Sequence, residues 1–565
     1  MRKPAFLFAA ALTLFAADTA IDYATEGKLW WSHVEALASD EMQGRNIGTD
    51  EYRKAVDYVT AQFEKAGLKP AGSNGYQQPV RFETRTLLPQ ESSLALVRNG
   101  EAQPLELGAD ANISARADLA PSIEAPMVFI GYGMSLPESH YDDLAGMDLR
   151  GKVAVYISAA GPAEAPPNLK SHASSAGGRW AALRKAGAIG IATIANPRTA
   201  GTLGTAAEDA AAGRGDTGGR RDTAGTGGRG AAGGGGGRGV NRPPQPAVVL
   251  ADKSLSEAAG EQIAVTFTRR GAAKLFEGAE HSFDEIIKLA QENQPLPRFA
   301  LPVTLRAKTA VKTSEMEAAN VAGMLPGSDA KLKNEYVVMS AHLDHIGVGR
   351  PVNGDSINNG AMDDASGVAS VLEIARLMKA TGAKPKRSII FLTVTAEEKG
   401  ELGSQYFAAH PTVPAKQIVA DINLDMFLPL YPLKVIEVQG IAESTLGETV
   451  RVAAREYGVD VQTDREPEQN RFTRSDQYSF IKYGIPALAF KFGYEFGSPD
   501  EKTRKDWVKE RYHRPSDDLT QPVDKAAAAK FDRVILSLLE RVADDPARPH
   551  WNSDSFFKRF ATESK

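Results

Sequence analysis

Short apolar segments alternate with longer amphipathic ones from about residue 300 to residue 545, and this alternation constrains the fold more than any other feature of the chain. The segments with the length and composition of strands are residues 335–341, 388–395, 418–424, 435–439 and 485–492. Apolar residues at helical spacing mark residues 364–381, 442–457 and 524–542. This alternation predicts an α/β domain with a mostly parallel, mixed sheet that is flanked by helices on both faces.

Acidic and imidazole side chains follow three of the predicted strands at the points where the strands end. His342 and Asp344 follow the first strand, Glu397 and Glu398 follow the second, and Asp425 follows the third. Ligand sites in open α/β sheets form beyond the carboxyl ends of the strands. We therefore expect these side chains to converge at one edge of the sheet.

Two loops carry further side chains of the same kind: Asp363 and Asp364 precede a predicted helix, and Tyr512 and His513 come late in the domain. Taken singly, each motif has an ordinary structural explanation. A pair of glutamates is usually a solvated surface, and an Asp-Asp-Ala-Ser-Gly sequence can be a helix N-cap. As a set, these nitrogen and oxygen donors are the ligands that zinc accepts, and they predict a metal site.

Composition narrows the chemistry further. The 565-residue chain has no cysteine, which excludes disulfides, thiolate metal sites and cysteine nucleophiles, so a metal must be bound by His, Asp and Glu. Its formal net charge of -5 is unlike the strongly basic balance typical of nucleic-acid-binding proteins, and we expect no nucleic-acid partner.

The first 20 residues have the pattern of a secretory signal peptide. Arg2 and Lys3 precede an apolar run over residues 5–17, and small residues follow it, so we expect cleavage between Ala17 and Asp22. A membrane anchor is the alternative, but the run is shorter than the roughly 20 apolar residues that a spanning helix needs. We predict an exported protein, periplasmic or secreted, without stable membrane insertion after cleavage.

The order of the motifs resembles metallopeptidase family 28, the bacterial two-zinc aminopeptidases. The matching motifs are Ala341-His342-Leu343-Asp344, Met362-Asp363-Asp364-Ala365-Ser366-Gly367, Ala396-Glu397-Glu398, Asn423-Leu424-Asp425-Met426, Arg474-Ser475-Asp476 and Tyr512-His513. The resemblance covers residues 300–545 and also the stretch 37–45. Gln477 departs from the family, which often has a histidine there, but no proposed ligand lies at that position.

An intervening segment resembles a protease-associated domain, a small β-rich insert common in this family. The matching residues are Gly131-Tyr132-Gly133, Tyr141-Asp142-Asp143-Leu144-Ala145-Gly146 and Leu149-Arg150-Gly151-Lys152-Val153. We therefore expect a discontinuous zinc peptidase domain over residues 21–112 and 300–548, with the insert over residues 113–299. Residues 200–245 are of low complexity, rich in Gly and Arg, and we predict that they are disordered.

The resemblance implies roles for the candidate ligands. Asp363 would bridge two zinc ions, His342 and Asp425 would complete one site, and Glu398 and His513 would complete the other. Such sites also accept cobalt or manganese. Two metal ions about 3.5–4 Å apart can activate a water molecule and polarise a scissile carbonyl together.

The resemblance also implies roles for residues that do not bind metal. Glu397 would be the general base, and Asp344 would orient His342 by a hydrogen bond to its free ring nitrogen. Tyr512 would stabilise the oxyanion, or it is a packed aromatic residue only. His345 would be non-ligating, although the sequence by itself does not exclude it as a ligand.

Three functions fit these residues. The first is an exported aminopeptidase acting on peptides or protein termini. The second is a carboxypeptidase or dipeptidase, in which Arg471 and Arg474 would bind the terminal carboxylate, because arginine forms bidentate pairs with carboxylates. The third is a receptor-like binding protein without activity, which would be expected to have lost ligands, whereas all five proposed ligands and the base are present here.

Overall fold

The structure is a computed structural model that describes residues 21–158, 161, 165–194, 246–256, 259–469 and 471–563. The predicted signal peptide and the whole of segment 200–245 lie outside the described residues, so both remain predictions. Among the helices of the described part, none has both the length and the apolar character needed to cross a bilayer.

A ten-stranded mixed sheet forms the centre of the larger domain. Its strands lie in the order Ala247–Leu250, Gln77–Leu87, Val311–Leu325, Ser388–Val394, Tyr336–His342, Ile418–Asn423, Ala487–Phe492, Val435–Gln439 and Asp460–Gln462, and the short strand Lys69–Pro70 pairs with Val311–Leu325. The four strands from Ser388–Val394 to Ala487–Phe492 run parallel to one another. The predicted central strands are confirmed to within two residues at each end.

Alternate residues of the central strands point to two separate apolar layers, which is why helices cover both faces of the sheet. Val337 and Met339 pack in one layer, whereas Val338 packs in the other. The helices on the first face are Tyr23–Leu37, Asp50–Lys65, Ser366–Ala380, Leu446–Glu456 and Lys525–Asp544. The helices on the second face are Leu402–Ala409 and Gln477–Lys482. The helix Pro499–Glu510 contributes Trp507 to the first layer. The predicted α/β class is therefore confirmed.

A second sheet of eight strands forms a smaller domain. Its strands lie in the order Glu101–Leu105, Ser93–Arg98, Arg298–Lys308, Ser122–Ile130, Val153–Ile157, Gly190–Ile194, Ile263–Phe267 and Ala111–Ile113. The helices of this part of the chain are Pro167–Ser174, Ala176–Lys185, Arg269–Leu275 and Phe283–Gln291. Two small hairpins complete the strands: Ser135–Leu136 with Tyr141–Asp142, and Gly347–Val352 with Asp355–Asn358.

The pairing of the strands corrects the predicted limits of the insert, residues 113–299. The second sheet runs from Ser93 to Lys308, so it includes strands that we assigned to the peptidase domain. Conversely, Ala247–Leu250, which lies within the predicted insert, pairs with Gln77–Leu87 of the large sheet. The boundary was missed because an apolar alternation predicts a strand but not the sheet to which the strand pairs.

The smaller domain contacts the larger domain close to the edge of the large sheet. In the helix Pro167–Ser174, Ser171 bonds the hydroxyl of Thr473 and His172 bonds the hydroxyl of Tyr478. The carboxyl-terminal helix Lys558–Glu563 lies beside them, because the rings of Phe560 and His172 are 5.5 Å apart. Two hydrogen bonds from the helix Pro167–Ser174 therefore hold the segment around Ser475.

Candidate active site

Three neighbouring parallel strands bring the predicted ligands together at one edge of the large sheet. The strand Tyr336–His342 ends on His342, and Ser388–Val394 leads into the turn Glu397–Lys399. The strand Ile418–Asn423 ends two residues before Asp425. The predicted convergence at the carboxyl ends of the strands is confirmed.

Asp363 lies at the centre of the cluster, and its two carboxylate oxygens face two different groups of donors. Oδ1 lies 3.2 Å from Nε2 of His342, which is also 3.8 Å from Oδ1 of Asp425. On the other side, Oδ2 lies 3.2 Å from Nε2 of His513, which is also 3.2 Å from Oε2 of Glu398. All five residues that were predicted as ligands therefore meet around Asp363.

His345 also lies in the second group of donors, which the resemblance did not lead us to expect. Its Nδ1 is 2.7 Å from Oε1 of Glu398 and 3.9 Å from Oδ2 of Asp363, and the residue is fully buried. Two ligands of one tetrahedral zinc ion lie about 3.3 Å apart, since zinc–nitrogen bonds are about 2.0–2.1 Å long. The distances of His513 are close to that value on both sides, whereas those of His345 are not, so His513 fits the ligand position better.

Two donor atoms of the cluster are buried without a hydrogen-bond partner among the described residues: Oδ1 of Asp425 and Nε2 of His345. The other donor atoms face one another, because Oε1 of Glu398 lies 2.7 Å from Nδ1 of His345 and Oδ2 of Asp363 lies 3.2 Å from Nε2 of His513. A buried carboxylate oxygen without a partner is costly, and a bound cation removes that cost. Two observations therefore fit bound metal ions: the distances between the donor atoms, and a buried carboxylate oxygen without a partner. The residues that would hold the ions are His342, Asp363, Asp425, Glu398 and His513.

Asp364 and Asp517 hold the loop that carries the central aspartate. Oδ1 of Asp364 accepts hydrogen bonds from the main-chain N–H of Gly367 at 3.0 Å and of Met426 at 3.2 Å. A side chain at Gly367 would lie 2.4 Å from Oδ2 of Asp364, which explains the glycine. The Asp517 carboxylate accepts from the main-chain N–H of Met362 at 2.9 Å and of Asp363 at 3.1 Å.

The role expected for Asp344 needs a correction. Nδ1 of His342 lies 3.0 Å from the main-chain carbonyl oxygen of Asp344, not from its carboxylate. The carboxylate instead accepts hydrogen bonds from the main-chain N–H of Glu397 at 3.0 Å and of Glu398 at 3.3 Å. The strand ends at His342, so the alternation that would place the two side chains on one side does not extend to Asp344. Asp344 positions the glutamate turn through its side chain and His342 through its main chain.

Arg45 explains why the amino-terminal stretch 37–45 belongs to the site. Its guanidinium is fully buried and donates to four main-chain carbonyls. The acceptors are Leu343 at 2.9 Å, Leu37 at 2.6 Å, Asn359 at 2.8 Å and Gly360 at 3.0 Å. Arg45 thus ties the first helix to the loops that carry His342 and Asp363. The sequence marked this stretch only by resemblance and gave no role to the arginine.

The charges of the cluster shift the pKa values of its carboxylates in opposite directions. Burial and the neighbouring Glu398 raise the pKa of Glu397 well above its ordinary value, although His342 opposes the shift. Burial acts against ionisation of Asp425 as well, but the charges of Lys491 and His342 outweigh it and lower its pKa to about 2.

Lys491 and Asp476 are two buried residues of the site that sequence reasoning left without a role. The ammonium of Lys491 bonds the main-chain carbonyl of Asp425 and lies 4.0 Å from its Oδ1. Burial raises the pKa of Asp476 to about 7, although His342 opposes the shift. The Arg-Ser-Asp motif pointed to Asp476, whereas Lys491 lies in an apolar strand that gave no functional signal.

Tyr512 and Arg471 were both considered for substrate contacts. The ring of Tyr512 stacks on His513, with ring centres 3.9 Å apart, and burial together with the charges of Asp363 and Glu398 raises the pKa of its phenol. Arg471 is already paired, because its guanidinium lies 2.5 Å from Glu466 and within 4 Å of two further carboxylates, those of Glu437 and Asp464. Tyr512 therefore borders the donor cluster, whereas the charge of Arg471 is used inside the protein.

The carboxyl edge of the large α/β sheet thus carries two groups of His and carboxylate donors that share Asp363, an arrangement that could hold metal ions. Residues 320–539, which include all five candidate ligands, match the model of Peptidase family M28. Members of the family are peptidases, hydrolases that act on peptide bonds.

Named relatives are found among both aminopeptidases and carboxypeptidases. The chain is 29% identical over 255 residues to probable leucine aminopeptidase 2 of Aspergillus oryzae, a match that covers 43% of this chain and 48% of the relative. It is 32% identical over 130 residues to carboxypeptidase Q of Rattus norvegicus, covering 22% of this chain and 25% of the relative. The chain thus spans about half or less of the length of these relatives.

Among solved structures, the aminopeptidase from Aneurinibacillus sp. strain AM-1 is similar with a TM-score of 0.49 and 20% sequence identity, and the match covers 92% of this chain and 95% of that chain.

Proposed function

We propose that this chain is an exported, zinc-dependent exopeptidase that removes single residues from the amino end of peptides with two zinc ions. One observation carries the proposal: the two oxygens of Asp363 each lie 3.2 Å from a different histidine, His342 on one side and His513 on the other. A carboxylate arranged in this way fits the role of a bridge between two ions. The other donors, Asp425 and Glu398, complete one group each.

Zinc ions held there would lower the pKa of a water molecule and polarise the scissile carbonyl. The residues of the chain supply the remaining steps. Glu397 belongs to neither donor group, and its raised pKa suits a group that takes a proton from water and passes it to the leaving nitrogen. Asp344 holds the main chain of Glu397 through a hydrogen bond from its N–H group, which fixes where the side chain of the base begins. Tyr512 would donate its phenolic proton to the oxyanion.

Carboxylates at the first donor group support the preference for the amino end. The free α-ammonium of a peptide needs anionic acceptors, and Asp425 of the first donor group is 16% exposed and has a pKa lowered to about 2. A carboxypeptidase would need a cation for the terminal carboxylate, but Arg471 is already paired with Glu466. The match to carboxypeptidase Q keeps removal from the carboxyl end as the second candidate function.

A mixed pool of unblocked peptides tests the proposal directly. The zinc-loaded protein, beginning near residue 21, is incubated with the pool and the products are followed by mass spectrometry. The control is Glu397→Gln, which keeps both donor groups and removes the base. We expect stepwise loss of amino-terminal residues with the wild type alone, and its abolition by a chelator.

Each other outcome has a distinct meaning. Loss of carboxyl-terminal residues would favour the carboxypeptidase function and shift attention to Arg474, which lies near Tyr512. Internal cleavage would contradict an exopeptidase. The absence of any cleavage by folded, zinc-loaded protein would leave a receptor-like binding protein as the better explanation.

Export forms a separate part of the proposal and is supported by Arg2 and Lys3 ahead of the apolar run 5–17. Expression in a bacterial host, followed by fractionation and amino-terminal sequencing, tests it. We expect a mature chain that begins between residues 18 and 22 in the periplasm or the medium. A full-length chain in the cytoplasm would contradict export.

A further inference from the structure

Residues 507–521 form a loop that is closed by a hydrogen bond between the side chains at its two ends. The indole N–H of Trp507 donates to Oε1 of Gln521 at 2.5 Å, and both side chains are buried. Trp507 lies in the last turn of the helix Pro499–Glu510, and the loop beyond it carries His513, one of the five candidate ligands. A bond between two buried side chains therefore fixes the base of a ligand-bearing loop.

The helix at one end of this loop is anchored to the large sheet. Arg504, one turn before Trp507, donates to the main-chain carbonyl of Phe492 at 3.0 Å. It also donates to both carboxylate oxygens of Glu437 at 3.3 Å, and both residues of this pair are buried. Trp507 itself packs in the first apolar layer of the sheet. The indole N–H is thus a fixed donor, to which Gln521 can be aligned.

The amide of Gln521 connects this fixed donor to Asp517. Its Nε2 donates to Oδ1 of Asp517 at 2.7 Å and to the main-chain carbonyl of Asp518 at 2.7 Å, so both N–H bonds of the amide are used. An indole only donates and a carboxylate only accepts, so a single orientation of the amide satisfies both neighbours. The position of Trp507 therefore determines that of the Asp517 carboxylate.

Asp517 in turn connects loop 507–521 to the central aspartate of the metal site. Its carboxylate accepts from the main-chain N–H of Met362 at 2.9 Å and of Asp363 at 3.1 Å. Four residues before it, His513 has a φ of 56°. This left-handed conformation is unfavourable for a residue with a side chain and persists where the surrounding chain imposes it. Loop 507–521 thus holds two ligands, one within itself and one through hydrogen bonds.

We propose that Gln521 is a positioning residue of the metal centre, which sets the ligands Asp363 and His513 relative to each other. It acts through Asp517 and is itself aligned by Trp507. The inference rests on the proposed two-zinc function and deepens it, because it names the residues that keep the centre assembled.

The two zinc ions should depend on Gln521 to different extents. The ion held by Glu398 and His513 takes one ligand from loop 507–521 and shares Asp363 with the other ion. The ion held by His342 and Asp425 depends on the loop through the shared aspartate alone. Loss of the alignment should therefore weaken the binding of the first of these ions more than that of the second.

Two substitutions remove the alignment with little change in side-chain volume: Gln521→Met and Trp507→Phe. The control is Trp180→Phe in the smaller domain, where a buried indole donates to the main-chain carbonyl of Ala259 at 3.3 Å. Zinc is removed from each protein and returned in competition with a chelating indicator dye. This measures the number of bound ions and their affinities without any substrate.

We expect the wild type to bind two zinc ions and Gln521→Met to bind one of them about 10–100-fold more weakly, as is typical when a residue behind a metal ligand is changed. Trp507→Phe should weaken the same ion by a smaller factor, because Gln521 keeps its bond to Asp517. Trp180→Phe should retain the wild-type affinities.

Cobalt in place of zinc separates positioning from a general loss of stability. Sites of this kind accept cobalt, and its visible absorption reports the geometry of its ligands. A variant that only folds less well would bind less cobalt with an unchanged spectrum for each bound ion. We expect the spectrum for each bound ion to change in Gln521→Met and to stay the same in Trp180→Phe.

Wild-type zinc affinities and a wild-type cobalt spectrum in Gln521→Met would overturn the positioning role while leaving the peptidase intact. An equal weakening of both ions with an unchanged spectrum would overturn it as well. If Gln521→Met does not fold, Trp507→Phe decides by the same two measurements. If the wild type binds fewer than two zinc ions, the proposed two-zinc function fails and the positioning role fails with it.

Discussion

The carboxylate of Asp344 accepts a hydrogen bond from the main-chain N–H of Glu397 over 3.0 Å. Both residues follow the ends of neighbouring parallel strands, so this bond joins two ligand-bearing loops across the sheet edge. A fully buried carboxylate that receives two main-chain N–H groups sets the direction of the whole glutamate turn.

Substitution of Asp344 by asparagine should therefore disturb catalysis without unfolding the protein. An amide has one acceptor oxygen in place of two, so one of the two main-chain N–H groups loses its partner. We expect kcat/KM to fall about 10–100-fold, the usual cost of changing a residue that orients metal ligands. Asp355→Asn, in an exposed hairpin, is the control. Wild-type kcat/KM in Asp344→Asn would contradict the positioning role.

Substitutions of the two adjacent glutamates should have different effects, one on catalysis and the other on zinc binding. Glu397→Gln should lower kcat by about 10²–10⁴-fold and keep the zinc content, because it removes a proton acceptor only. Glu398→Gln should lose zinc, because an oxygen of Glu398 lies 3.2 Å from His513 in the second donor group. Kinetics and elemental analysis of both variants check the assignment. If Glu397→Gln lost the metal and Glu398→Gln kept it, the roles of the two glutamates would have to be exchanged.

Arg45→Lys should destabilise the folded protein although the positive charge is kept. A lysine ammonium is compact and does not reach the four carbonyls that the buried guanidinium bonds, so buried acceptors lose their partners. We expect the free energy of unfolding to fall by about 2–4 kcal/mol in denaturant titrations. Arg53→Lys on an exposed helix face should change it by less than about 0.5 kcal/mol. Equal effects of the two variants would refute the role of Arg45.

Prediction from sequence succeeded where local pattern and chain direction determine the result. Parallel strands end at one edge, so a His, an Asp or a Glu that follows each strand converges there, and His342, Glu398 and Asp425 do so. It failed where a contact depends on distant loops. The partners of Arg45 lie up to 315 residues away in the chain, and no local pattern encodes them.

The orientation of side chains beyond the end of a strand also could not be predicted from the sequence. Strand periodicity placed the carboxylate of Asp344 beside His342, but the chain leaves the extended conformation at that point. The predicted limits of the smaller domain differ from the observed sheets for a related reason. Arg298–Lys308 and Val311–Leu325 are consecutive strands, but they pair in different sheets.

Asp110 in the smaller domain should make stability depend on pH. Its buried carboxylate lies 2.6 Å from Nε of Arg270 and 2.8 Å from Nζ of Lys274. Burial raises its pKa, but these two cations outweigh burial and hold the pKa well below its ordinary value. An Asp whose folded pKa is depressed stabilises the fold above its unfolded pKa of about 3.9, and this contribution is lost as the pH falls below that value.

Asp110→Asn should accordingly be less stable than the wild type at pH 7, by about 1–3 kcal/mol in urea titrations. The difference should stay constant down to about pH 5 and shrink below about pH 4, where the wild-type carboxylate begins to lose its advantage. Asp284→Asn, whose side chain is 88% exposed, should show no such trend. A difference that is the same at pH 7 and pH 3.5 would exclude Asp110 as the source.

The number of metal ions needed for activity tests the account most directly. Metal-free protein is titrated with zinc while amino-terminal release is measured, and bound zinc is counted in parallel by elemental analysis. We predict that the rate rises to its maximum at two zinc ions per chain, and that Asp363→Asn, which alters the shared carboxylate, binds fewer. Full activity without metal, or a maximal rate at one ion per chain, would contradict a two-zinc centre bridged by Asp363.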